Sequence, residues 1–354
     1  MAKLRLGVIG AGSWAIASHL PNFAARSADV EFVGVARKGT DALARIKDQY
    51  GFAVASEDYR DVLDAGVDIV LVASPTGLHH EHAKAAMEAG AHVLVEKPFT
   101  IDPGDAWDLV DTAARTDRHM VVSFGWNYRP MVREMKRLMD ERGIGEIEQM
   151  SVTMASVTRD LLSNRGAYPD ADADTQPEQA TWTDPRVSGG GYGQAQLSHA
   201  LGLALWLTGL RASEVFALMS APLDAPVELH DAISIRYDNG AIGTLSGGSC
   251  HEGAGNNKHQ LEVRAIGDAG QVLCDVEREA AWLWRDRGDT DLRLALEPDA
   301  GLYDCDGPPN ALVDLALGKD VVNHSPGELA ARTVELLDAA YRSAGSGRLE
   351  AVAR

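Results

Sequence analysis

Cysteine and concentrated positive charge are both scarce in this sequence of 354 residues. Its three cysteines, Cys250, Cys274 and Cys305, lie far apart and form no C-x-x-C pair, so we expect reduced thiols in an intracellular protein. Acidic residues outnumber basic ones by 52 to 33, the formal net charge is −19, and no run of Lys or Arg supplies a basic face. Nucleic acids and anionic membranes require such a face, so neither is expected as a partner.

Long apolar runs are missing as well. No stretch approaches the roughly 20 residues that a helix needs to span a bilayer. The N-terminus passes directly into an apolar strand, without the hydrophobic region of a signal peptide. A composition of 45% hydrophobic and 24% charged residues is typical of a soluble globular protein, and we expect a cytoplasmic location. The length favours two domains over one core.

A glycine-rich turn follows the first predicted strand, residues 4–9, and precedes a predicted helix over 14–25. In a dinucleotide-binding unit the first glycine permits the tight turn and the second lets the backbone approach the pyrophosphate. A small third residue permits close packing of helix on strand. The helix N-terminus then directs N–H groups and a positive dipole end at the phosphates. The spacing therefore predicts a dinucleotide site formed by Gly10, Gly12, Ser13, Trp14 and Ala15.

The second predicted strand, residues 30–36, ends without an acidic residue. An NAD-selective site places Asp or Glu there to bind the ribose 2′-hydroxyl, but this chain has Ala36, followed by Arg37 and Lys38. Two cations suit a 2′-phosphate, so NADP is the expected cofactor, with NAD as the alternative. Solvated loop charges are the other interpretation of the pair.

Two further predicted strands of the N-terminal third end in polar loops. One strand ends in Glu96-Lys97-Pro98, and Pro98 keeps Lys97 out of the α region, so the backbone sets the direction of the lysine. Ligands bind just beyond the carboxyl ends of parallel strands, where this amine would meet cofactor and substrate. A surface lysine at a strand end is the alternative. The other loop is Ser74-Pro75-Thr76.

The cluster His79-His80-Glu81-His82 opens a helix beside the Ser74 loop. Its histidines invite a zinc interpretation, but no fourth ligand lies at a plausible spacing. We therefore predict no metal.

The arrangement of predicted elements changes near residue 123. Strands alternate with helices before it, which predicts an α/β domain over residues 1–123 with a doubly wound parallel sheet of the Rossmann type. After it, successive strands follow one another with few helices between them, and Asp238-Asn239-Gly240 reads as a hairpin turn. Residues 124–354 are therefore predicted to form an α+β domain with a large, open, mostly antiparallel sheet.

A second glycine run, Gly189-Gly190-Gly191, leads into an apolar helical segment that contains His199. Ala195 and Gln196 lie four and three residues before His199, so helical spacing predicts that both neighbour it. A lone helical histidine can be structural or catalytic, and the spacing leaves both interpretations open.

Five segments together resemble one family. In chain order they are Gly10-Ala11-Gly12, Ser74-Pro75-Thr76, Glu96-Lys97-Pro98, Asn127-Tyr128-Arg129 and the run from Gly189 to His199. The chain resembles the glucose–fructose oxidoreductase, inositol dehydrogenase and rhizopine catabolism family (Gfo/Idh/MocA) over nearly its whole length. The resemblance implies a nicotinamide-dependent dehydrogenase or reductase of sugars, polyols or related compounds. It also implies a homo-oligomer, a dimer or tetramer, assembled through the open sheet.

The resemblance also implies roles for single residues. Lys97 and His199 would be the catalytic residues and would contact substrate. The cofactor would be held by the glycine turn and strand ends already named, together with Ser74, Pro75, Thr76, His79, Glu96, Lys97, Asn127 and Arg129. One departure matters: many members carry Asp four residues before the histidine, where this chain has Ala195. The carboxylate that would orient the imidazole and raise its pKa is then absent.

Polar and aromatic residues of the second domain are candidate walls of a sugar pocket, because sugar hydroxyls need partners and sugar C–H faces stack on aromatic rings. They are Arg159, Asn164, Arg165, Tyr168, Trp182, His251 and Asn256. Three alternative functions stay open: a glycoside hydrolase assisted by tightly held NAD, an oxidoreductase that never releases NADP, and a non-catalytic cofactor-binding sensor.

Overall fold

The computed structural model describes residues 2–167, 178–251, 259–286 and 291–353. Within these ranges the N-terminal third forms a six-stranded, all-parallel sheet in the order β3-β2-β1-β4-β5-β6. Its strands are β1 Leu4–Ile9, β2 Val30–Ala36, β3 Val54–Ser56, β4 Ile69–Val72, β5 His92–Val95 and β6 Met120–Val122. Its helices are α1 Leu20–Ala25, α2 Thr40–Tyr50, α3 Tyr59–Asp64, α4 His79–Glu88 and α5 Pro103–Thr116, with a π-helix over Ala15–His19 before α1. The predicted parallel α/β domain is confirmed.

Both faces of this sheet are covered. All four residues of β4 are buried, which is why the strand is a continuous apolar run rather than an alternating one. The strand order reverses between β1 and β4, and ligands of open parallel sheets bind at that reversal, beyond the carboxyl ends of the strands. The glycine turn follows β1, and the Ser74 loop follows β4.

The second sheet is mixed. Among the described residues it has nine strands in the order β14-β13-β12-β11-β7-β10-β9-β8-β15. The strands are β7 Ile147–Ser156, β8 Ala212–Ser220, β9 His230–Tyr237, β10 Ile242–Ser249, β11 His259–Gly267, β12 Gly270–Asp275, β13 Ala280–Arg285, β14 Leu292–Arg293 and β15 Glu350–Ala351. Neighbours pair antiparallel except β7 with β10. This confirms the mostly antiparallel prediction, and Gly240, with φ +88°, closes the predicted β9–β10 hairpin.

Helices cover one face of the second sheet. Along β9 buried and exposed residues alternate strictly, so one face packs on the core and the other faces outward. The described helices after residue 123 are α6 Pro130–Arg142, α7 Arg159–Leu162, α8 Ala180–Thr183, α9 Pro185–Ser188, α10 Ser198–Thr208, α11 Gly307–Ala316 and α12 Gly327–Ser346, with a π-helix over Gly193–Leu197 before α10. Of these, α6, α10 and α12 contact the second sheet. Among the described helices, none is long and apolar enough to cross a bilayer.

The chain returns to the first domain near its end. Leu312 and Val313 of α11 are fully buried in the core on one side of the parallel sheet. Arg26 pairs with Asp314 of α11 at 2.7 Å, and the Val122 N–H donates to a carbonyl of the segment after α11 at 2.9 Å. The division into domains 1–123 and 124–354 stays a prediction. Helix α11 and the segment after it connect the two parts through these contacts.

Candidate functional site

The glycine turn after β1 is shaped by its two glycines in different ways. Gly10 has φ +87°, and a Cβ there would lie 2.3 Å from the backbone N of Ser74, so only glycine lets the two loops meet. A Cβ on Gly12 would instead have no atom within 4 Å. The Ile16 N–H donates to the Gly12 carbonyl, so helical structure begins at once. Open space before a helix N-terminus fits the diphosphate of a dinucleotide.

Arg37 leaves the end of β2 and folds back over this turn. Its guanidinium donates to the carbonyl of Ala11 at 3.0 Å and to that of Lys38 at 3.0 Å. Burial, and then the charge of Arg45, lowers the pKa of Arg37. Arg37 and the exposed Lys38 thus place positive charge beside the glycine turn, where the strand end carries Ala36 instead of an acid.

His79 joins the loop after β4 to the loop after β5. Its Nε2 lies 2.7 Å from the Ser74 carbonyl oxygen, and its Nδ1 lies 2.9 Å from that of Pro98. The neighbouring histidines turn elsewhere: His80 pairs with Asp108 at 2.6 Å, and His82 lies 2.9 Å from the Ser74 hydroxyl. Among the described residues no group of three or more His, Cys, Asp or Glu could hold a metal ion.

Lys97 connects the two domains. Its Nζ donates to the carbonyl oxygen of Ala195 in the second π-helix at 3.1 Å. Burial lowers the pKa of Lys97, and the negative charge of Glu96 opposes that change. Burial in turn raises the pKa of the Cys305 thiol to about 12, so this thiol stays neutral beside the amine. An amine with a lowered pKa can take part in proton transfer as well as donate hydrogen bonds.

The second glycine run brings the second π-helix into place. Backbone N–H groups of Gly191 and Gly193 donate to the Glu228 carboxylate at 2.9 and 3.0 Å, and the Tyr341 hydroxyl donates to it at 2.6 Å. A Cβ on Gly190 would lie 2.2 Å from that hydroxyl. The run is therefore glycine-rich because the chain passes closely over a half-buried acid at a helix N-terminus.

His199 lies in the first turn of α10 and is 6% exposed. Its ring meets Trp126 edge to face at 5.1 Å and Tyr303 edge to face at 5.6 Å. Trp126 and Tyr303 lie 4.4 Å apart, and Tyr303 stacks on Trp14 of the glycine turn at 6.3 Å. We call Trp14, Trp126 and Tyr303 the aromatic wall. It joins the predicted catalytic histidine to the predicted cofactor turn.

Asn127 and Arg129 make protein contacts near this wall. The Asn127 side-chain amide donates to the carbonyls of Gly202 and His324, and Arg129 donates to the Asp299 carbonyl at 3.3 Å. Gln196, which helical spacing predicts to neighbour His199, accepts a hydrogen bond from Ser156 at 3.2 Å. This hydrogen bond links the second π-helix to the end of β7.

The predicted substrate walls are spread over the second domain. Arg159 begins α7, Asn164 follows it in an exposed loop with φ +58°, and Trp182 is half-buried in α8. The α8–α9 segment approaches the Ser74 loop, because a Cβ on Gly77 would lie 3.4 Å from the Arg186 carbonyl. Their part in substrate binding stays a prediction. The remaining candidates are Arg165, which donates to Leu223, the exposed His251, and Tyr168 and Asn256, which lie outside the described residues.

Sequence reasoning missed four residues of this site: His19, Trp126, Tyr303 and Cys305. Trp126 directly precedes the segment Asn127-Tyr128-Arg129, so its position was a usable signal. Tyr303 and Cys305 lie more than 200 residues after Lys97, in the segment before α11, and no local pattern marks them.

Two protein-family models match the chain. One is described as "Oxidoreductase family, NAD-binding Rossmann fold" and matches residues 4–124, and the other is the GFO/IDH/MocA C-terminal domain, over residues 132–273. Among curated relatives, levoglucosan dehydrogenase of Pseudarthrobacter phenanthrenivorans is 28% identical over 313 residues, 78% of this chain and 75% of that protein. D-glucoside 3-dehydrogenase of Escherichia coli is 31% identical over 147 residues, 41% of this chain and 42% of the relative.

A third relative belongs to a different enzyme class. Glycosyl hydrolase family 109 protein 2 of Shewanella sp. (strain MR-4) is 36% identical over 185 residues, 48% of this chain and 40% of the relative. The chain thus spans about two fifths of the glucoside dehydrogenase and of the hydrolase.

Solved structures share the whole fold. A levoglucosan dehydrogenase in complex with NADH and levoglucosan aligns over 100% of both chains with a TM-score of 0.79 and 21% identity. GenD2 from gentamicin A biosynthesis, in complex with NAD, aligns over 100% of this chain and 97% of that one, with a TM-score of 0.76 and 25% identity.

Proposed function

This chain belongs to the Gfo/Idh/MocA oxidoreductases with an NAD-binding Rossmann fold, and we propose that it transfers a hydride between a nicotinamide cofactor and a hydroxyl-bearing carbon of a sugar, polyol or glycoside. One observation carries the proposal. The Lys97 amine reaches the π-helix that leads to His199, and the aromatic wall joins His199 to the glycine turn. These contacts support a site in which a proton acceptor, a cationic donor and a dinucleotide cradle lie at one edge of the parallel sheet.

When bound, the nicotinamide accepts the hydride in the oxidation direction. Gly12 and the helix N-terminus that follows it are the groups that would hold the diphosphate, and Arg37 and Lys38 those that would hold the ribose end. As the substrate C–H bond is lost as hydride, its hydroxyl proton passes to the His199 imidazole, leaving a carbonyl. Lys97 donates a hydrogen bond to the same oxygen and stabilises its developing negative charge.

The test is nicotinamide absorbance with anhydrosugars, glucosides, free sugars and polyols, for the wild-type chain and two lysine variants. Lys97→Ala should lower kcat at least 100-fold, because it removes the donor to the charged oxygen, while cofactor affinity changes little. Lys84→Ala, which removes an amine that pairs with Asp108 on the surface of α4, is the matched control. Turnover that is unchanged in Lys97→Ala would refute the assignment.

The similarity to glycoside hydrolases suggests a second candidate function, which the same experiment tests. If glycosides are cleaved with no net change in nicotinamide absorbance, and cofactor copurifies with the protein, the chain is a redox-assisted glycoside hydrolase. If cofactor binds and no compound reacts, the sensor interpretation holds.

For the cofactor we propose a preference for NADP over NAD. Support comes from Ala36 at the end of β2 and from the positive charges of Arg37, Lys38 and Arg45 near the glycine turn. Arg37→Ser should weaken NADP binding at least tenfold and NAD binding much less, because a charged hydrogen bond to phosphate contributes about 1.5–3 kcal/mol. Arg115→Ser on the surface of α5 is the control. Wild-type affinity at least tenfold higher for NAD would contradict the proposal.

We further propose a homo-oligomer, a dimer or tetramer, that pairs the outward face of the second sheet. Leu218 of β8 and Ile242 of β10 are 64% and 56% exposed there, and Trp282 and Trp284 stack on β13 at 5.3 Å. Leu218→Glu should lower the sedimenting mass, whereas Ala232→Ser on the same face should not. A wild-type chain that sediments as a monomer would exclude the assembly.

We also propose a cytoplasmic location, which the three free cysteines support.

A further inference from the structure

The carboxylate of Glu96 contacts three parts of the proposed site. It is 6% exposed at the end of β5. Its Oε1 contacts His19 Nε2 and accepts from Trp14 Nε1 at 3.2 Å, and its Oε2 accepts from the backbone N–H of Lys97 at 3.0 Å. One carboxylate therefore holds the first π-helix, the glycine turn and the backbone of the catalytic lysine.

His19 is the fixed partner of this carboxylate. It ends the first π-helix and is completely buried. Its Nδ1 has no hydrogen-bond partner among the described residues, so Nε2 carries the contact with Glu96. Burial acts to raise the pKa of Glu96, but the hydrogen bond and charge of His19, followed by the charge of Lys97, hold that pKa below its ordinary value. The pair thus keeps an anion in a buried position.

A series of side-chain contacts also connects Glu96 to His199. Trp14 is fixed at its indole N–H by Glu96, and its ring stacks on Tyr303. Tyr303 in turn meets the edge of His199 at 5.6 Å. Loss of the carboxylate would release Trp14 and the Lys97 backbone together.

We propose that His19 and Glu96 form a positioning pair that sets the place of Lys97 directly and that of His199 through the aromatic wall. In the proposed mechanism neither residue contacts the reacting oxygen. The proposal rests on the function proposed above, because the two positioned groups are those assigned to hydride transfer. Its physical basis is that misplacing a catalytic group by about 1 Å can lower the rate about 100-fold.

The test begins with a measurement that needs no turnover. Competitive acetylation of the apo-protein over a pH series, read by peptide mass spectrometry, gives the pKa of the Lys97 amine in each variant. Glu96→Gln should lower that pKa by about one unit or more, because a nearby negative charge is lost. His19→Leu should do the same, since Glu96 is then protonated. His19→Gln keeps an N–H donor and should stay close to wild type.

Turnover supplies the second arm. Glu96→Gln and His19→Leu should lower kcat about 10- to 100-fold and move the pH profile toward lower pH, while His19→Gln recovers most of the rate. His80→Gln, on the surface of α4, is the histidine control. A merely structural pair would lower the melting temperature and leave both the amine pKa and the pH profile in place, and that result would overturn the inference. If the wild type oxidises no compound, the proposed function fails. The acetylation series still decides whether Glu96 controls the pKa of the Lys97 amine.

Discussion

A buried acid in the second sheet makes the stability of this protein depend on pH. Asp231 is 4% exposed on the covered face of β9, and neither of its carboxylate oxygens has a hydrogen-bond partner among the described residues. Burial, and then the charge of Glu228, raises the pKa of Asp231 from 3.8 to about 8. Tyr192 and Tyr341 are the other titratable groups that sense its charge. We therefore expect this side chain to be mostly a neutral carboxylic acid at pH 7 in the folded protein.

The direction of the pH effect follows from the raised pKa. The folded state binds the proton more tightly than the unfolded state, so this group favours folding fully below pH 4 and loses that contribution as pH rises toward 8. A rise of about 4 pKa units corresponds to about 5 kcal/mol at most, because one unit is about 1.36 kcal/mol. Between pH 5 and 8 the free energy of unfolding should fall by about 1 kcal/mol per pH unit on account of Asp231.

Asp231→Asn removes this titration at nearly constant volume. Melting temperatures of wild type and variant at pH 5, 6, 7 and 8 should diverge, with the variant gaining about 1–2 °C per pH unit over the wild type. Asp111→Asn, the same change at an exposed position on α5, should show a difference that is constant with pH. If the difference for Asp231→Asn is equally constant, Asp231 is ionised in the folded state and the argument from burial is wrong.

Three further predictions concern the site. Gly10→Ala should fail to fold, or melt at least 5 °C below the wild type, because its Cβ would collide with the backbone of Ser74. Gly12→Ala should melt like the wild type, but calorimetry should show that its affinity for the cofactor is at least tenfold lower. Ala195→Asp should raise the Lys97 pKa by about one unit and move the kcat profile to higher pH, and an unmoved profile would place residue 195 away from the amine. Trp126 packs on His199, so we expect it to contact the sugar, and Trp126→Leu should raise KM for a sugar about tenfold with cofactor affinity unchanged. An unaffected KM would contradict a contact between Trp126 and the sugar.

Local patterns were sufficient for much of this protein. The glycine turn, the end of β5 and the hairpin at Gly240 are short contiguous segments whose backbone requirements can be read from residue types. The alternation of strands and helices predicted the parallel sheet, and the closely spaced strands after residue 123 predicted the second sheet. The assignments of Lys97 and His199 required more, because they came from a resemblance that covers the whole chain.

Only the tertiary structure brought the distant parts of the site together. Tyr303 reaches Trp14 and Trp126 because α11 returns to the first domain, and that return depends on contacts between distant segments, such as that of Arg26 with Asp314 across 288 positions. The contact of His19 with Glu96 joins a π-helix to a strand end across 77 positions, and the contact of Lys97 with Ala195 spans 98. Helical spacing could not foresee either contact, because each joins elements that are distant in the chain, and the second is made to a backbone carbonyl. Sequence patterns extend over one element, whereas the energy of a buried contact depends on which elements pack together.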